Sequence, residues 1–152
     1  GLCPACDLQS AGSAVGLGVD GSASNDASNA IEEVRAAMML QRLRKGAGGF
    51  SHLDAIHLAT EGSARCLGRN DIGSLTPGSQ ADLALFGLNE LRHSGYDDPI
   101  AALVLCGASR ADRVMIGGAW KVIDGCIPGI DESDLIRRHS GAAKKLRERS
   151  GL

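Results

Sequence analysis

Ala14-Val15-Gly16-Leu17-Gly18-Val19 is an apolar run with no polar alternation, and it stops abruptly at Asp20. A strand with one wet face alternates, so this run predicts a strand covered on both faces, as in a parallel sheet. That places the first part of the chain in an α/β unit. Glycine supplies 21 of 152 residues and aromatics only 3%. The core is therefore expected to be aliphatic, with tight turns and small-residue packing. Gly21-Ser22-Ala23-Ser24-Asn25-Asp26 follows the run and is loop chemistry throughout.

Helical signals come next. Ser28 or Asn29 can cap a helix whose first turn carries Glu32 and Glu33, where the helix dipole favours carboxylates. Ile31, Val34, Ala37, Met38, Gln41 and neighbours continue at helical spacing, and Gly46 ends the helix. A second helix is expected from about Leu53 to Leu67, stopped by Gly68, and a short one within Gly1–Gly12 with Pro4 in its first turn. Beyond Gly68, Ile72–Leu75 and Asp82–Phe86 read as short strands separated by a Pro77-Gly78 turn. Ile100–Cys106 suits helix or strand. Arg113–Ile116 and Trp120–Ile123 read as a hairpin turned at Gly117-Gly118. Asp131–Ser150 is an amphipathic helix with a basic face that reads as solvated. The first part resembles the end of an α/β unit and the middle a small β module, neither of them complete.

Composition excludes several function classes. With 43% hydrophobic and 22% charged residues, wholesale disorder is excluded. A net charge of -2 gives no global basic field for nucleic acid or an anionic membrane, so neither is expected as a partner. No apolar run approaches the ~18 residues that span a bilayer. Five cysteines, an odd and modest count, argue against a disulfide scaffold and for a reduced, cytoplasmic protein.

Several motifs are weak. Cys3-Pro4-Ala5-Cys6 has CxxC spacing, but no second pair completes a zinc site, since Cys66, Cys106 and Cys126 are single. Gly16–Gly21 matches GxGxxG, yet the glycines lie inside the run, and a helix start does not follow until Ser28. His52, His57, His93 and His139 lack metal-ligand spacing and read as surface or capping residues. Asp20 is different. It ends a buried glycine-rich strand and opens a polar loop. In α/β barrels, side chains at the C-terminal ends of strands build the active site, and a carboxylate there can ligate a metal or accept a proton. The alternative is an ordinary turn Asp capping nearby backbone groups, and spacing alone does not choose.

Val15-Gly16-Leu17-Gly18-Val19-Asp20-Gly21-Ser22-Ala23-Ser24-Asn25-Asp26 resembles the amidohydrolase superfamily, in its cytosine deaminase-like branch of guanine, 8-oxoguanine, S-adenosylhomocysteine and triazine hydrolases. Glu32-Glu33-Val34-Arg35 and Met39-Leu40-Gln41-Arg42-Leu43 bring it nearest to 8-oxoguanine deaminases. Ala59–Gly68, Ile72–Leu83, Val114–Gly118 and Val122–Gly125 resemble, in order, the helix after the last barrel strand, the return to a β-sandwich, and its closing hairpin.

The resemblance implies a (β/α)8 (TIM-like) metal-dependent hydrolase barrel with a small β-sandwich. A barrel alone takes ~250 residues, so this chain is expected to be a C-terminal fragment. Residues 1–70 would be the end of the barrel, with its eighth strand and following helices. Residues 71–126 would be part of a composite β-sandwich with an inserted helix or loop segment, and 127–152 a C-terminal helix. Asp20 matches the family's eighth-strand Asp, a ligand of zinc or iron and a proton acceptor. The histidine ligands and the catalytic Glu are expected upstream of Gly1. The implied reaction is hydrolytic deamination of a purine-like heteroaromatic base, 8-oxoguanine or similar. The metal lowers the pKa of a bound water toward ~7, Asp20 takes its proton, hydroxide attacks the ring carbon bearing the amino group, and ammonia leaves. Ser22, Ser24 and Asn25 would lie beside the pocket, contacting substrate or bracing Asp20. A triazine or S-adenosylhomocysteine-type hydrolase is the neighbouring alternative, and a non-catalytic α/β binding module the distant one. The full-length protein is expected to be a homo-oligomer.

Overall fold

The structure is a computed structural model that describes residues 1–108 and 110–151. Helix α1 spans Ala5–Ser10, with Pro4 at its cap rather than inside its first turn. Helix α2 spans Ala30–Lys45. Asn29 caps it, its side-chain oxygen accepting from the Ile31 N–H at 3.0 Å. Gly46 ends it at φ +85°. Val34, Met38 and Gln41 are its buried residues, one stripe at spacings of four and three.

Helix α3, His52–His57, opens with a capping box. The Ser51 hydroxyl accepts from the Asp54 N–H, and the Asp54 carboxylate accepts from the Ser51 N–H. One π turn, Leu58–Gly62, then runs into α4, Ser63–Cys66. The helix expected over Leu53–Leu67 is therefore present but not uniform. Its irregular turn lies where Gly62 and Ser63 press on the chain at Val15-Gly16.

The sheet has three antiparallel strands in the order β1 (Leu83–Leu85), β2 (Arg113–Ile116) and β3 (Ala119–Val122). Leu83 faces Met115, and Met115 faces Trp120 after a register shift at Val114/Met115. Gly117 and Gly118, at φ +56° and +79°, make the hairpin turn. Between β1 and β2, Leu91–His93 forms a 3-10 turn and Pro99–Cys106 forms α5. Asp98 caps α5 by accepting from the Ile100 and Ala101 N–H groups, each at 2.9 Å. Helix α6, Glu132–Ser150, starts at the Asp131 cap.

Two expected strands are absent. Ala14–Val19 joins no ladder, and only Val15–Leu17 and Val19 are half-buried. A strand needs a partner edge, and the sheet among the described residues is formed by β1–β3. Ile72–Leu75 is a bend because Gly73 adopts φ +88° against the backbone of Thr60 and Glu61. The core is helical: Ala5, Val34, Met38, Phe50, Ala55, Leu58 and Val104 pack together from α1, α2, α3, the π turn, α5 and the loop before α3. Helix α6 buries no residue. Among the described residues no helix is long and apolar enough to cross a membrane.

Candidate functional site around Asp20

Asp20 stands where the apolar run meets the polar loop, in the left-handed region at φ +60°. Asp adopts this conformation more readily than most residues, because its short side chain bonds locally. Here Oδ1 accepts from the Gly21 N–H and Oδ2 from the Ser24 hydroxyl, each at 2.7 Å. The Ser24 hydroxyl, and after it the Gly21 N–H, hold the carboxyl below its ordinary range. Each carboxylate oxygen accepts one bond there and keeps further lone-pair capacity. The Asp20 side chain is exposed, so it is an available, ionised oxygen donor.

The run that carries Asp20 is held by the π turn. Leu17 offers its N–H to the Ser63 hydroxyl at 3.1 Å, and that hydroxyl lies 3.2 Å from the Leu17 carbonyl and 3.1 Å from that of Leu58. Gly16 permits the approach: a Cβ there would lie 2.6 Å from the Ser63 Cα. A Cβ on Gly62 would meet the Val15 carbonyl oxygen. Ser63 and Gly62 therefore set the path of the chain three residues before Asp20. Sequence reasoning assigned them no role. The small pair Gly62-Ser63 inside a helix was the available signal.

The three loop residues separate in the structure. Ser24 braces Asp20. Asn25 donates from its amide to Glu33 Oε1 at 2.6 Å, across to α2. Ser22 is exposed and has no side-chain partner among the described residues. Asn29, besides capping α2, donates to the Ala108 carbonyl at 3.0 Å, which ties the start of α2 to the loop after α5.

The weaker motifs lie elsewhere. All five cysteines are free thiols. The buried Gln41 side chain holds the backbone of the CxxC segment, donating to the Cys3 carbonyl and accepting from the Cys6 N–H. The last of the GxGxxG glycines precedes α2 by eight residues rather than opening it. His52 pairs with Asp98 at 2.9 Å and His57 with Glu61 at 3.4 Å. His139 is exposed. His93 departs from the surface expectation, since it is buried; its Nε2 lies 3.2 Å from the carbonyl of Gly107, the residue that ends α5. A surface groove of about 440 Å³ runs between the first turns of α2, Arg92 and Cys106–Ala108, and Asp20 does not line it. Among the described residues no three His, Cys, Asp or Glu side chains gather as a metal site. A catalytic zinc needs about three protein ligands, and the described residues bring no such set to Asp20.

The amidohydrolase family model matches residues 1–121. An 8-oxoguanine deaminase of Pseudomonas aeruginosa is 61% identical over 146 residues, covering 96% of this chain and 32% of the relative. Among solved structures, an adenosine deaminase from Xanthomonas campestris with bound zinc superposes with a TM-score of 0.89 at 30% identity, over 97% of this chain and 34% of that one. Atrazine chlorohydrolase from Arthrobacter aurescens TC1, complexed with zinc, superposes with a TM-score of 0.84 at 32% identity, over 93% and 32%. The chain thus spans about a third of the length of these relatives.

Proposed function

The chain belongs to the amidohydrolase family, and from that premise we propose that it is part of a metal-dependent aminohydrolase that deaminates 8-oxoguanine or a similar purine-like base. The observation that carries this reading is the 61% identity to an 8-oxoguanine deaminase across 96% of the chain. In this reading residues 1–70 complete a (β/α)8 barrel, 71–126 contribute to a β-sandwich, and 127–152 add the C-terminal helix. Ala14–Val19 is then a barrel strand whose neighbours lie on other parts of the protein, which accounts for its joining no ladder here. The full-length enzyme is expected to be a homo-oligomer, and five free thiols suit a reducing, cytoplasmic setting.

Asp20 is the residue assigned to chemistry. Its carboxylate would hold the metal and would accept a proton from the attacking water. Zinc is favoured over iron, because the metal named in the solved relatives is zinc. When bound, the metal supplies Lewis acidity that lowers the pKa of water toward ~7. Ser24 and Gly21 orient the carboxylate by holding one lone pair on each oxygen. They keep it ionised, and an ionised carboxylate is the form that binds a cation or takes a proton. Ser22, free on the same turn, is the loop hydroxyl assigned to substrate. A triazine substrate is the second reading, supported by the likeness to atrazine chlorohydrolase at lower identity.

The test uses the full-length protein carrying this segment, loaded with zinc. Ammonia release is measured from 8-oxoguanine, guanine, S-adenosylhomocysteine and a triazine. Turnover of 8-oxoguanine should lead, and Asp20→Ala should lower kcat by about 10²–10⁴-fold, the range for loss of a positioned proton acceptor. Wild-type turnover by Asp20→Ala would sink the assignment. Preference for the triazine would select the second reading, and no turnover of any of the four would favour a non-catalytic module.

A further inference from the structure

Asp20 is braced by Gly21 and Ser24, but those bonds lie within one turn and do not attach the turn to the rest of the molecule. We propose that Glu33 is a positioning residue: by accepting the Asn25 amide, its carboxylate anchors the Asp20 turn to α2. The inference rests on the reading of Asp20 given above.

Four observations carry it. The loop Gly21–Ser28 is exposed at every residue except Asn25, which is half-buried. Non-glycine residues stand in the left-handed region at both margins of the loop, Asp20 at φ +60° and Ser28 at φ +45°. Such conformations persist where the surroundings over-determine them. Asn25 is bonded in two directions. Its backbone N–H donates to the Gly21 carbonyl at 2.9 Å, closing the turn that holds Asp20, and its side chain donates to Glu33 at 2.6 Å. Among the described residues this is the one side-chain hydrogen bond that leaves Gly21–Ser28 for a helix. Glu33 is a firm anchor. It lies in the first turn of a 16-residue helix, beside Val34, which is 1% exposed in the core. A carboxylate acceptor makes the bond charge-assisted and short.

The bond has a polarity that substitution can reverse. Asn25→Asp sets two carboxylates against each other. Adding Glu33→Gln restores a donor opposite an acceptor, with the roles exchanged. In the zinc-loaded full-length enzyme, Asn25→Asp should lower kcat for 8-oxoguanine by about 10–100-fold, the scale of an ångström-sized misplacement, with KM held within about threefold. The double variant should return kcat to within about threefold of wild type. Metal-free protein gives an independent readout: amide exchange over residues 20–25 should speed up in Asn25→Asp and slow again in the double variant. If Asn25→Asp fails to fold, Glu33→Ala removes the same bond and should show the same kcat loss. Wild-type kcat and exchange in Asn25→Asp, or a double variant no better than the single one, overturn the proposal. Asp20→Asn is measured alongside. If it is inactive while Asn25→Asp is normal, only the tether falls; if it turns over normally, the Asp20 reading falls and the tether with it.

Discussion

Asp20 depends on residues far from it in sequence. Its own bonds are to Gly21 and Ser24, but the direction of the chain that delivers it is set at Leu17 by Ser63, 46 residues away. One hydroxyl serves the N–H of Leu17 and lies within reach of the carbonyls of Leu17 and Leu58. Ser63→Ala leaves the Leu17 N–H half-buried without that acceptor. The expected loss is about 1–2 kcal/mol, read as a lower unfolding midpoint of the full-length protein, together with a lower kcat because Asp20 is displaced. An unchanged midpoint would show that the hydroxyl does not hold the run. Asp20 was legible as a candidate because an apolar run that ends in a carboxylate is a local pattern. Ser63 was less legible: the small pair Gly62-Ser63 marks a close approach, but nothing local names Leu17 as the segment that makes it.

At the scale of elements, caps and stripes were the readable part. Asn29 and Gly46 bound α2 as the sequence implies, and the hairpin turns at Gly117-Gly118. Ile100–Cys106, ambiguous by pattern, became helix α5 because Asp98 caps it and Pro99 opens it. That cap predicts a pH dependence. The Ala101 N–H first, with the Ile100 N–H and His52 adding to it, holds the Asp98 carboxyl below its ordinary value of 3.8. The unfolded chain therefore takes up this proton at higher pH than the folded chain does. The stabilisation is complete above the unfolded value and is lost as pH falls through the lower folded one. Asp98→Asn keeps an acceptor oxygen for the cap but loses the charge. Its thermal midpoint should fall less steeply than that of wild type on acidification below about pH 4. Parallel curves would exclude Asp98 as a contributor.

The whole molecule shows a helical core with an uncovered periphery. Leu135, Ile136 and Leu146 of α6 are 49%, 64% and 69% exposed, and Leu67, Leu75 and Leu91 are more exposed still. Where such residues join into a contiguous patch, they mark a surface made to be covered. Ala14–Val19 likewise joins no ladder. The 152-residue chain alone should therefore melt broadly, bind a hydrophobic dye and release no ammonia from 8-oxoguanine when zinc is supplied. A sharp cooperative melt of the isolated chain would count against its being a barrel fragment.

Local physics was enough to read helix starts and stops, the glycine hairpin and the carboxylate at the end of an apolar run. Each depends on neighbours within about one helical turn or one tight turn. The linked motifs from Val15 to Gly125 also carried the family resemblance, because their order along the chain is a property of sequence alone. Tertiary structure decided the rest. Ile72–Leu75 bends because Gly73 meets the π turn, and the helix over Leu53–Leu67 is irregular beside Val15-Gly16. The Asp20 turn is tied down by Glu33, a bond across eight residues between an amide and a carboxylate that nothing in either segment foretells. Side chains of this kind choose partners only after the backbone has brought them within about 3 Å, and that approach is set by packing rather than by local propensity.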